Sequence, residues 1–239
     1  MELVSLQNIV FGYEHTASLN GVSFQIENGE FVGVVGPNGA SKSTMLRIML
    51  GLIKPWTGTV TVSKTNAAGK ALTIGYVPQQ IASFNVGFPS TVYELVRSGR
   101  YKKGSWFRKL DQKDREYIEN ALKMVGLWEL RYRKIGELSG GQKQKLVIAR
   151  VLASDPDLLI LDEPATGMDA ESRKEFYKFL SHQVKAHQKT VVMVTHERDE
   201  VEKYIDKLLI LERGEQTGWT CLTWNSCRER FGQVDSLPL

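Results

Sequence analysis

The chain has 239 residues, 42% of them hydrophobic and 24% charged, and a formal net charge of +4. That length allows one large domain or two lobes with ample core, and the composition is ordinary for a soluble globular protein. Two cysteines, Cys221 and Cys227, are too few for a disulfide framework, and their spacing without nearby histidines makes a poor zinc pattern.

The mild basicity permits nucleic acid or anionic headgroups as neighbours but demands neither. MELVSLQNIVFGY has no charged leader before an apolar core, so no signal peptide is expected. No apolar run approaches the roughly 20 residues that a spanning helix needs. Any service to a membrane is therefore expected from its cytoplasmic side, through a partner.

In chain order, residues 2–27 alternate in hydrophobicity and read as two strands with a turn around His15 to Asn20. Asn28-Gly29 is a turn signal, and Phe31 to Val35 is an apolar strand. A glycine-rich turn follows, then a helical pattern from Met45 that ends at Gly51. Strands are expected over Thr59–Val62 and Ala71–Val77. From about Ile81 to Gly136 helical spacing takes over, at Thr91–Gly99 and Lys113–Val125, around a basic stretch from Arg100 to Lys109. The basic run from Arg97 to Arg115 reads as a solvated face or as a face set against a membrane partner or lipid headgroups. Strands and helices then alternate: Asp157–Leu161, Ala170–Lys185, Thr190–Thr195, Arg198–Tyr204 and Lys207–Glu212. Such alternation implies a parallel sheet. The tail after Gly214 shows no clear pattern.

Three constellations carry chemistry. The first is Gly36-Pro37-Asn38-Gly39-Ala40-Ser41-Lys42-Ser43-Thr44, set between strand and helix. This is the context of a phosphate-binding loop, whose backbone N–H groups and helix dipole cradle phosphate oxygens. Lys42 would reach the β- and γ-phosphates, and Ser43 would place its hydroxyl on Mg²⁺. Ser41 stands where the pattern asks for a second glycine. The second is the strand Leu158 to Leu161, which delivers Asp162 and Glu163 at its carboxyl end. Asp162 suits a metal-holding acid, and Glu163 can position or deprotonate the water that attacks the γ-phosphate. The third is Leu138-Ser139-Gly140-Gly141-Gln142 before an apolar helical run, a second anion site at a helix N-terminus.

Together these motifs, in this order, resemble the nucleotide-binding subunits of ABC transporters over about residues 2–213. The resemblance implies an α/β fold: a P-loop NTPase (RecA-like) core with an N-terminal antiparallel β subdomain and an inserted helical subdomain. It implies a core of residues 1–80 and 151–215, a helical subdomain of 81–150 carrying the signature, and a tail of 216–239. It also implies ATP and Mg²⁺ as ligands, and roles for further residues. Tyr13 stacks on adenine. Gln79 contacts Mg²⁺ and the attacking water, although its neighbour Gln80 is an alternative. Ser139 to Gln142 close on ATP held by a second copy. Asp169 communicates across that dimer, and His196 touches the γ-phosphate. ATP then glues two copies together, and hydrolysis releases them.

The stretch from Phe88 to Val96 with Ser98 to Tyr101, and Gly167-Met168-Asp169-Ala170-Glu171, resemble the cytoplasmic subunits of bacterial zinc and manganese importers. The implied function is ATP hydrolysis powering metal import, zinc first and manganese or iron as alternatives. The implied partners are a membrane permease, a second copy and, indirectly, an external metal-binding protein, with no nucleic acid. A soluble ABC ATPase acting on ribosomes or nucleic acid is the alternative of another class. Such proteins tend to carry two cassettes or a long coiled-coil insertion, and this chain has one cassette and no heptads.

Overall fold

A computed structural model describes residues 1–79, 89–101, 109–213 and 218–225. Gln80, Phe88, residues 102–108 of the basic run and Cys227 lie outside them. The chain forms two compact units, one of residues 1–72 with 180–239 and one of 73–179.

The first unit is built on strands. β1 (Glu2–Tyr13) and β2 (Thr16–Glu27) form an antiparallel hairpin, and β4 (Thr57–Val62) pairs antiparallel to β1. The reversal sits at Glu14-His15, ahead of the expected turn. Asn20-Gly21, a turn-like dipeptide, instead makes a bulge within β2, where the register jumps between Ile9↔Val22 and Phe11↔Leu19. β3 (Phe31–Val35) pairs parallel with both β7 (Thr190–Val194) and β8 (Lys207–Arg213). β3 and β7 are buried along their whole length, so they read as continuous apolar runs. Each buried valine or phenylalanine there contributes about 1.5–3 kcal/mol.

A further strand, β9 (Trp219–Asn225), lies in the tail where no pattern was expected. It runs antiparallel to β8 and meets β2 at Leu19↔Trp219. Burial pushes the Cys221 thiol on β9 up to about 12, the behaviour of an inert cysteine.

Helix α1 (Lys42–Met49) follows β3 directly. It stops in a Schellman turn: Gly51 N–H donates to Ile48 O at 2.9 Å and Leu52 N–H to Arg47 O at 2.9 Å. The φ of +69° at Gly51 makes glycine the fitting residue there.

The second unit pairs two parallel strands, β5 (Ile74–Val77) and β6 (Leu158–Asp162). β5 is shorter than expected because Ala71 makes only an isolated bridge to Thr65 in the first unit's chain segment. Helices α2 (Val92–Ser98), α3 (Gln112–Met124) and α4 (Gly140–Ala153) each begin with a capping box: Thr91 with Glu94, Asp111 with Asp114, and Ser139 with Gln142. Thr91's backbone N–H holds the Glu94 carboxyl below its ordinary range. α5 (Ala170–His187) begins in this unit, and the division of the chain falls within it; the short α6 (Arg198–Val201) belongs to the first unit.

One residue of the basic run is not a solvated charge. Arg100 Nε donates to Asp114 Oδ1 at 2.9 Å, Nη1 donates to Ala153 O at 2.8 Å, and the guanidinium lies 4.4 Å from the Tyr117 ring centroid. Asp114 is 1% exposed. Removing the guanidinium takes its countercharge from that buried carboxylate, which costs about 3 kcal/mol or more. Arg100→Ala is therefore expected to lower the unfolding free energy by about 3 kcal/mol in a urea titration. A loss under about 1 kcal/mol would show the pair to be ornamental.

Candidate nucleotide site

The expected site residues fall into two groups, one in each unit. In the first unit, parallel pairing of β3 with β7 at Val34↔Val194 brings Gly36 and His196 out at the same carboxyl edge. Open α/β sheets bind ligands at that edge. Thr195 N–H donates to Val34 O at 3.1 Å and keeps the two strand ends together. Gly36, Pro37, Thr195 and His196 line one open cleft of about 800 Å³, with Glu212, Arg213 and Trp219 across it.

Between Gly36 and α1 the loop is closed by Lys42. Its ammonium donates to Gly36 O at 2.8 Å and to Pro37 O at 2.9 Å, and the residue is 6% exposed. An ammonium that buried must be bonded. Pro37, Asn38 and Gly39 face solvent while Ala40 is buried, so the loop is anchored on one side and open on the other. Ser43 and Thr44 lie in the first turn of α1.

The Ser41 misfit has a geometric answer. Its backbone is left-handed, with φ 59° and ψ 25°, the conformation the missing glycine would adopt readily. A non-glycine residue there costs about 1–2 kcal/mol. Ser41 stands at the N-cap, yet its side chain makes no cap bond, so the first N–H groups of α1 are not capped from that position.

Tyr13 ends β1 with its ring 56% exposed, and its hydroxyl lies 3.2 Å from Thr44 Oγ1. The adenine-stacking candidate is thus tied to the phosphate loop's own helix, a link that no sequence spacing announces.

In the second unit, the β5–β6 register of Val77↔Leu161 carries Gln79 and Glu163 out at one edge, 84 residues apart in sequence. Gln79 Nε2 donates to Glu163 Oε2 at 2.8 Å. Asp162 is 2% exposed, at the end of β6. Glu163 has φ +50°, a strained conformation for glutamate of the kind that clusters at functional sites. Gln144, on α4 beyond the signature, donates from Nε2 to Glu163 O at 3.4 Å. The sequence reading did not single out Gln144, whose signal is only its place one turn along the signature helix.

Ser139 and Gln142 bond to each other. Gln142 N–H donates to Ser139 Oγ at 3.3 Å, and Ser139 N–H donates to Gln142 Oε1 at 3.0 Å. A Cβ added at Gly140 or Gly141 would meet nothing within 4 Å. The described chain itself does not require glycine at either place. Asp169 accepts from Ser172 Oγ at 2.6 Å and Ser172 N–H at 2.8 Å. The Ser172 hydroxyl, then its amide, hold the Asp169 carboxyl below its ordinary range. The ionised carboxylate makes this contact, so it is lost only as pH falls through that lowered value.

Ser41→Gly would exchange left-handed strain for glycine's extra chain entropy of about 0.5–1 kcal/mol. The variant is expected to unfold within about 1 kcal/mol of the natural chain, on the stable side, and to bind ATP at least as tightly. Clearly weaker ATP binding by calorimetry would mean that the serine side chain has a positive role.

A family model described as ABC transporter matches residues 19–166, more than half of the chain. The chain is 66% identical over 231 residues to the high-affinity zinc uptake system ATP-binding protein ZnuC of Bacillus subtilis, covering 97% of this chain and 100% of that protein. It is 49% identical to the zinc transport system ATP-binding protein AdcC of Streptococcus pneumoniae, over 98% of this chain and 100% of that one. Among solved structures it resembles the dimeric post-hydrolysis state of the ATP-binding cassette MJ0796 bound to ADP and Pi. The TM-score is 0.72 at 29% identity, over 88% of this chain and 94% of that one. With its loop, paired acids and signature in the family's order, the chain belongs to the ABC transporter family as one of its ATP-binding subunits.

Proposed function

We propose that this chain binds and hydrolyses ATP to power import of a divalent transition metal, zinc, through a separate membrane permease. Hydrolysis is carried by one observation, the 2.8 Å bond that joins Gln79 to Glu163. A carboxylate at a strand end, oriented by an amide, is the arrangement a general base for water needs. Zinc is supported by the end-to-end similarity to two zinc uptake subunits. The metal is cargo that this subunit never touches, so its choice lies with the permease and an external binding protein.

The phosphates of ATP are assigned to Gly36–Thr44, with Lys42 exchanging its loop carbonyls for β- and γ-oxygens. That exchange replaces neutral acceptors by charged ones and strengthens both bonds. Adenine is assigned to Tyr13. The Ser43 hydroxyl, the Gln79 amide oxygen and the Asp162 carboxylate are each hard oxygen donors of the kind that suits Mg²⁺, and each would serve as a ligand to it. Held by these residues, Mg²⁺ would supply charge neutralisation on the β- and γ-phosphates. Gln79 gives its Nε2 to Glu163, which leaves Oε1 as the amide atom suited to the metal.

Glu163 takes the proton from the attacking water as its oxygen bonds to the γ-phosphorus, and the β–γ bridging oxygen leaves with ADP. His196 contacts the γ-phosphate. Ser139, with the Gly140 and Gly141 amides, closes on ATP held by a second copy, and Asp169 belongs to that dimer contact. The open space at Gly140 and Gly141 supports this reading, because it leaves room for a partner's phosphate. Among the described residues no helix is long and apolar enough to cross a membrane, and the permease is what places the subunit at the cytoplasmic face.

Glu163→Gln keeps the shape but loses the base. It is expected to bind ATP and to hydrolyse it about 10²–10⁴-fold more slowly, with the closed dimer stabilised. Normal turnover would remove Glu163 from the role. The cargo is tested by uptake and growth rescue of a strain lacking this subunit: zinc supplementation alone should restore growth. Rescue by manganese alone would move the function to a manganese importer.

A further inference from the structure

We infer that Trp56 is a positioning residue for the nucleotide base, acting on Tyr13 through Phe11. This rests on the assignment of adenine to Tyr13. Tyr13 is the last residue of β1 before the hairpin reversal, and the next residue, Glu14, has φ +56°. A half-exposed ring at a hairpin tip is free to turn unless something holds it, and ordering a loose side chain on binding weakens affinity. Two groups hold this one. At its outer end the hydroxyl meets Thr44 Oγ1 at 3.2 Å. At its inner end the ring meets Phe11 edge-to-face, with centroids 5.3 Å apart and planes at 84°.

Phe11 is 7% exposed and is itself backed by the Trp56 indole at 6.2 Å and 42°. Trp56 is held at its backbone and at its ring. Its backbone N–H donates to Val10 O at 2.8 Å, at the start of β4. Its ring lies over Gly12, where an added Cβ would come 2.6 Å from Trp56 Cη2. Trp56 remains 46% exposed, so it is poorly placed as a core residue. It stands instead as the outer member of a row, Trp56–Phe11–Tyr13, that ends on the phosphate-loop helix. Edge-to-face contacts of this kind constrain ring orientation beyond simple burial. An indole that backs Phe11 therefore limits how far the Tyr13 ring can turn before a base arrives.

The test compares ATP with inorganic tripolyphosphate, which has the phosphates but no base. Both are titrated with Mg²⁺ by calorimetry into the full chain and its variants. Trp56→Ala is expected to weaken ATP about three- to tenfold and to leave tripolyphosphate unchanged, because only ATP uses the aromatic row. Trp56→Phe, which keeps a ring, is expected to recover most of the loss, whereas Trp56→Leu, which keeps only apolar bulk, is not. If Trp56→Ala fails to fold by thermal melting, the Phe and Leu pair carries the comparison. Unchanged ATP affinity, equal weakening of both ligands, or full recovery with leucine each overturn the inference. Tyr13→Ala run alongside separates the two levels. If it weakens ATP while Trp56→Ala does not, the base site stands and the role of Trp56 falls. If Tyr13→Ala leaves ATP unchanged, the assignment of the base to Tyr13 falls first.

Discussion

The loop between β3 and α1 turns back on itself, and its closed form rests on the Lys42 ammonium, which donates to the carbonyls of Gly36 and Pro37. Hydrogen bonds from a charged donor contribute about 1.5–3 kcal/mol each, and an ammonium this buried needs such partners. The same two bonds hold the loop turned back without an anion, and in the proposed ATP site Lys42 would trade them for phosphate oxygens. The left-handed backbone at Ser41 belongs to this economy. The strain is local, and the bonds around it are strong enough to hold it. The rest of the first unit is scaffold for that turn: β3, β7 and β8 fix where it emerges, and the end of β1 brings an aromatic ring to the first turn of α1.

The second unit solves a different problem, which is to hold one glutamate in an unfavourable conformation and aim it. Parallel pairing of β5 and β6 sets Gln79 against Glu163, and α4 reaches the Glu163 carbonyl through Gln144. The signature segment and Glu163 are thus joined through one helix, so a displacement of the N-terminus of α4 has a short route to Glu163. The capping boxes on α2, α3 and α4 stabilise these helix starts locally, which leaves the glycines of the signature free of any packing duty.

Much of this was legible in the sequence because it rests on periodicity and local spacing. The loop, the acids after β6 and the signature each need only a few adjacent residues in the right context. What escaped was non-local or depended on backbone dihedrals. Serine at position 41 does not reveal whether its φ is positive. The bonds of Gln79 to Glu163 and of Arg100 to Asp114 join residues whose nearness is set by topology. Arg100 sits in a run of basic residues that reads as solvated, yet it is sequestered against a carboxylate and a tyrosine ring. Asn20, the far end of the expected turn, lies within β2 beside Gly21, where the sheet makes a bulge. In β9 the threonines Thr220 and Thr223 interrupt Trp219, Cys221, Leu222 and Trp224 too irregularly for a strand pattern to stand out, and its pairing with β8 decides its conformation.

The placement of β9 has a consequence for biogenesis. Among the described residues, β4, β1 and β2 form one ribbon and β8, β3 and β7 another, and β9 is the strand that joins them. Because β9 spans Trp219–Asn225, every other described strand of the sheet has been translated before that seam can close. Until then the nascent polypeptide carries two open strand edges, along β2 and β8, each a template for pairing with another chain. The seam accordingly closes only after all the other described strands are made, and until then the waiting edges are the places most exposed to pairing with another chain.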